Sequence, residues 1–160
     1  MSPRSRIILV SVAMGVAALI AVVAFRPGAE QAGIVLLPND RQLLAMGGAV
    51  YKTHCAVCHG AKLEGQPDWR SRGADGMLPA PPHDASGHTW HHPDATLFRI
   101  TKKGVAAVAG DANYKTTMQA YEGILTDEEI VAVLSWIKAQ WPASVHAKHD
   151  QINAAKARSP

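Results

Sequence analysis

The 160-residue chain is long enough for one compact domain with short extensions and too short for the usual two-domain enzyme. Its formal charge is +3, but Arg4 and Arg6 precede the domain, and residues 26–160 carry 14 basic against 13 acidic groups, so nucleic acid is not an expected partner. Two cysteines, Cys55 and Cys58, cannot build a disulfide framework.

Residues 7–25 are apolar without a charge, Ser11 being their one polar side chain. As a helix they span about 28 Å, the thickness of a bilayer's hydrocarbon core. A cleaved signal peptide has a shorter apolar core of about 7–15 residues and a small-x-small cleavage site. The length therefore favours an uncleaved anchor over residues 1–26. Arg4 and Arg6 hold the N-terminus in the cytoplasm, so the rest is expected on the exported, periplasmic side of the cell membrane. Residues 27–38 read as a linker to a domain at 39–142.

A helix is expected over 40–53, capped by Asn39 or Asp40, with Leu43, Gly47, Val50 and Tyr51 at helical spacing. The proline-rich connector 60–92 is too long to lack structure unless it wraps something. A second helix is expected over 93–103, between Pro93 and the terminating Gly104. The third opens with Thr126-Asp127-Glu128-Glu129, a capping box with acids in the first turn. Ile130, Val133, Leu134, Ile137 and Trp141 form its apolar stripe, and Pro142 stops it. Residues 143–160 show no periodicity and are expected to be a disordered tail. No stretch reads as a strand, which makes the fold class all-α. Aromatics are 6% of the chain, so something besides bulky side chains has to fill the core.

Between the first helix and the connector lies Cys55-Ala56-Val57-Cys58-His59. Cys-x-x-Cys-His is the attachment pattern of c-type haem: two thiols add across two vinyl groups, and the adjacent histidine reaches the iron. A redox Cys-x-x-Cys pair would not need His59 and favours a strand–helix context. A zinc site would want a second ligand pair at matching spacing.

From these residues the sequence resembles the monohaem class I cytochromes c, in particular a bacterial membrane-anchored branch. The resemblance rests on Cys55, Cys58 and His59, on Gly47-x-x-x-Tyr51-x-x-x-Cys55, and on Trp136 in the last helix. A further stretch, from Pro79 to His83 and on to Pro93-Asp94, carries the likeness to the anchored branch. It implies a cytochrome c fold, with three or more helices around one covalent haem c and an N-terminal transmembrane helix. In that family the first and last helices cross where a small residue lets backbones touch, the place of Gly47. It also implies an axial methionine on the loop before the last helix, where Met118 stands; Gln119 replaces the usual proline. Met77 and bis-histidine ligation are the alternatives. His59 needs an acceptor for its second nitrogen, expected from the Pro79, Pro81 or Pro82 carbonyl. Trp90 and one or two of His83, His88, His91 and His92 are expected to donate to haem carboxylates. His54, His146 and His149 are expected to face solvent.

The function implied is one-electron transfer rather than catalysis. Expected partners are membrane redox complexes (a quinol-oxidising complex, a terminal oxidase or a dehydrogenase), besides the lipid. The alternative is a haem-based sensor or a copper-handling protein that uses the histidines of 83–92.

Overall fold

The computed structural model describes residues 33–111 and 113–158. The expected membrane span at 7–25 lies outside them, and no helix among the described residues is long and apolar enough to cross a membrane. Those residues contain helices and turns but no strand, only an isolated bridge between Glu122 and Leu125.

Helix α1, Arg41–Val50, starts where the Asp40 carboxylate accepts from the backbone of Gln42 and Leu43, each at 3.0 Å. The chain does not leave the helix at residue 53. It widens into a π turn, Tyr51–Cys55, and continues as the short α2, Ala56–His59. Gly60, at φ +82°, ends it. After the connector come a 3₁₀ turn at Thr89–His91, α3 at Asp94–Lys103 and α4 at Val105–Ala109. Helix α5, Asp127–Ala139, has the expected reciprocal cap. Glu129 N–H donates to Thr126 Oγ1 at 3.2 Å, and Thr126 N–H to Glu129 Oε2 at 2.8 Å.

The expected stripe of α5 is buried throughout and forms the core with Leu36, Val50, Tyr51, Leu97, Phe98 and Tyr121. Each such aliphatic side chain contributes about 1.5–3 kcal/mol of burial free energy. Helices α1 and α5 cross with their backbones in contact. A Cβ on Gly47 would overlap the Ala132 carbonyl and come within 2.8 Å of Trp136 Cβ. Here glycine's cost in a helix interior, about 1 kcal/mol, is offset by the approach it permits.

Two expectations about the ends of the domain are corrected. The expected disordered tail over 143–160 is not borne out over 143–157: Ala143–Ala157 is a helix, α6, begun at Pro142. Its buried residues include Val145 and His149, so His149 does not face solvent. The helix escapes an apolar-periodicity reading because it is held largely by polar side chains. Nor are 34–38 a free linker. Leu36 is buried, its N–H donates to Asp94 Oδ2 at 2.9 Å, and Leu37 N–H donates to Ser135 Oγ at 2.9 Å.

Asp94 ties these ends together. Its Oδ1 accepts from Asn153 Nδ2 at 3.0 Å, and its N–H donates to Asn153 Oδ1 at 2.8 Å. His149 donates through Nε2 to the His92 carbonyl at 3.0 Å and lies 3.3 Å from Asp94 Oδ1. A buried carboxylate is tolerated because every oxygen has a donor and the first turn of α3 supplies a favourable dipole.

Candidate haem attachment site

The π turn lengthens one turn of helix, with Ala56 N–H bonding to Tyr51 O five residues back. The extra residue rotates everything after it, which sets the direction in which Cys55, Cys58 and His59 project. Two tyrosines brace the segment. Tyr121 Oη donates to the His54 carbonyl at 2.7 Å, and Tyr51 Oη to the Gly60 carbonyl at 2.8 Å. Burial pushes both phenol pKa values up, which keeps them neutral donors. His54 is partly buried beneath Tyr121, rather than fully open to solvent.

Neither cysteine is in a disulfide. Cys55 is partly buried, and burial, helped by neighbouring Cys58, pushes its thiol up to about 11. Cys58 is exposed, one residue past Val57, which is 84% exposed.

His59 is buried and its Nδ1 lies 2.8 Å from the Pro81 carbonyl, one of the three acceptors the sequence pointed to. A carbonyl only accepts, so Nδ1 carries the proton and Nε2 keeps its lone pair. Burial lowers the imidazole pKa and outweighs the opposing pull of Pro81, so the ring is neutral. A neutral imidazole with its second nitrogen fixed is the donor an iron requires. Two unpaired thiols, one a helical turn before that donor and one directly before it in the chain, fit a covalent haem.

The connector folds back to bring Pro81 to His59. Gly65 N–H bonds to the His59 carbonyl at 2.8 Å, Gln66 N–H to Ala80 O at 2.8 Å, and His83 N–H to Leu63 O at 2.8 Å. Leu63 holds φ +69°, which costs a non-glycine residue about 1–2 kcal/mol, and buries its side chain in return.

Met118 is partly buried on the strand-free segment after α4, three residues before Tyr121. Tyr121 is fastened to the attachment segment by its hydroxyl and to α3 by its N–H, which donates to Thr101 O at 3.0 Å. Met77 sits in a closed turn whose backbone is already used: Met77 N–H bonds to Asp75 Oδ1 and Gly73 N–H to Met77 O, each at 2.9 Å. That turn touches the segment before Met118, where Lys115 Nζ donates to the Asp75 carbonyl at 3.2 Å.

Trp90 has a protein acceptor, the Ala85 carbonyl, at a long 3.4 Å. The indole making a short internal bond is that of Trp141, which donates to His83 O at 2.8 Å. The four histidines of 83–92 do not converge on one point, although the rings of His88 and His92 meet edge to face with centroids 5.5 Å apart. His83 stacks on His59, His88 on Trp69, and His91 lies against Trp90. Among the described residues no group of three or more His, Cys, Asp or Glu side chains is arranged to hold a metal ion, so a copper site there gains no support.

Residues whose part was not foreseen are Tyr121 and His83. Tyr121 carries a spacing signal, three residues beyond Met118; the ring contact of His83 carries none. Residues 44–141 match the family model described as Cytochrome c. Neither a curated protein nor a solved structure matches the chain.

Proposed function

Because the chain belongs to the cytochrome c family, whose members bind haem c covalently and serve electron transfer, we propose that it is a membrane-anchored one-electron carrier. One haem is attached through Cys55 and Cys58, with His59 and Met118 as its axial ligands. The observation that carries this reading is the bond from His59 Nδ1 to the Pro81 carbonyl, which leaves Nε2 as the free donor next to two unpaired thiols.

When bound, the haem iron takes up and releases one electron. The chain's residues do the rest. The Pro81 bond raises the donor strength of His59, while a Met118 thioether favours the reduced state. Tyr51 and Tyr121 hold the attachment segment so that little has to move between oxidation states. Met118 is supported over Met77 because its segment is pinned to the attachment site through Tyr121. Trp90, with only a long bond to Ala85, serves as a donor to a haem carboxylate.

Residues 7–25 anchor the protein in the cell membrane as a single pass, with the haem domain on the periplasmic side. Confinement there raises the effective concentration of membrane partners. Those partners are redox complexes such as a quinol-oxidising complex, a terminal oxidase or a dehydrogenase.

A potentiometric titration of the detergent-extracted protein tests the reading. One-electron behaviour is expected, with little carbon monoxide binding to the reduced form. Ready carbon monoxide binding by the wild type would point to an open iron and a sensor. Fractionation tests the anchor: the full chain should sediment with membranes. A chain lacking residues 1–26, exported by a cleavable signal, should be soluble.

A further inference from the structure

His83 lies face to face with His59, ring centroids 3.9 Å apart and planes 24° from parallel. Three separate parts of the chain hold it there. Its Nδ1 is 2.7 Å from Oγ1 of the buried Thr89 in the 3₁₀ turn. Its N–H donates to Leu63 O at 2.8 Å, and its carbonyl accepts the Trp141 indole at 2.8 Å. The edge of its ring meets Tyr51, with centroids 6.4 Å apart. A polar ring fixed this firmly against an axial ligand is not needed to fill space; a leucine would do that.

We propose that His83 is a positioning residue for the axial histidine: its ring, stacked on the face of His59, fixes the plane of that imidazole. The Pro81 bond holds the His59 ring at one nitrogen only. A flat partner at van der Waals distance on one face restrains it directly. If the plane turns, the Nδ1–H···O bond bends and weakens. His59 then donates less strongly through Nε2, ferric iron is less stabilised, and the reduction potential rises. The inference rests on His59 as the axial ligand, and its test separates the two.

The test uses the full-length haem-loaded protein and two readouts: the midpoint potential and the electron paramagnetic resonance spectrum of the ferric form. The g-values report the orientation of the axial ligand planes, which a merely space-filling residue does not control. His83→Leu should keep covalent haem, raise the potential and shift the g-values. His83→Phe makes the site as apolar as leucine does and also loses the Thr89 bond, but it retains a flat ring and should shift the g-values clearly less than His83→Leu. Thr89→Val removes the bond that aligns His83 and should shift the g-values in the direction of His83→Leu, by less. Equal shifts in His83→Leu and His83→Phe would mean that polarity matters and stacking does not, and would overturn the inference. So would unchanged g-values in His83→Leu. Should His83→Leu not fold, unchanged g-values in Thr89→Val would overturn it. A His59→Ala chain that keeps the wild-type ferric spectrum would overturn the axial assignment instead.

Discussion

Around His59 the chain is held by bonds of widely different span, nine residues from Tyr51 to Gly60, 22 from His59 to Pro81 and 67 from His54 to Tyr121. Around Asp94 the partners are 58 and 59 residues away, in the segment before α1 and in α6. The first region is arranged around a group the protein does not encode, with two thiols and an imidazole left without protein partners on their reactive atoms. The second is closed on itself, each buried polar atom satisfied by another. The difference teaches that the attachment face derives its order partly from the haem, whereas the Asp94 face must supply its own. Substitutions on the two faces should therefore separate cofactor chemistry from stability.

The largest effect belongs to the attachment face. In Cys55→Ala/Cys58→Ala both thioether bonds are gone, and denaturation should release all the haem. A haem-stained denaturing gel should be blank for this variant and positive for the wild type.

Next comes the helix crossing, which serves both faces. Gly47→Ala drives a methyl into the Ala132 carbonyl, and with backbone on the other side nothing small can yield. The expected loss is about 3 kcal/mol in urea unfolding of the holoprotein. On the Asp94 face, Asp94→Ala orphans the Leu36 N–H and the Asn153 amide. It should cost about 2 kcal/mol, while the visible spectrum stays unchanged. Amide exchange at Leu36 should accelerate in the same variant.

The same contrast explains what could be read from the sequence. The haem attachment pattern and the capping box at Thr126 are local patterns whose physics is visible in residue order, whereas the crossing of Gly47 with Trp136 was legible only through the family resemblance. The Pro81 carbonyl was narrowed to three candidates because the acceptor had to come from the proline-rich stretch. Helix α6 was missed because its inward positions at 145, 149 and 153 are Val, His and Asn. His149 is buried and Asn153 partly buried through hydrogen bonds, which no hydropathy pattern registers. The π turn was missed because an inserted residue leaves no compositional mark. The burial of Leu36 and the stacking of His83 depend on partners far along the chain.

The smallest effects are electrostatic and fall on the Asp94 face. Burial, and the charge of Lys138, lower the pKa of His149 below its ordinary 6.5. The unfolded chain thus takes the proton first, and stability is full above that value and declines as pH falls below it. His149→Gln should flatten this decline in a pH series of urea midpoints. The Lys138 ammonium, bonded at 2.7 Å, holds the Asp150 carboxyl below its ordinary 3.8. That contribution is present above 3.8 and lost as pH falls through the lowered value. Asp150 is 62% exposed, so Asp150→Asn should cost no more than about 1 kcal/mol.

The central claim, a carrier with His59 and Met118 on one iron, is tested most directly by the near-infrared spectrum of the ferric protein. The sulfur-to-iron charge-transfer band should be present in the wild type and in Met77→Ala, and absent in Met118→Ala, which should then bind cyanide readily. A band that survives Met118→Ala and vanishes in Met77→Ala would contradict the assignment and move the sixth ligand to the closed turn at 73–77.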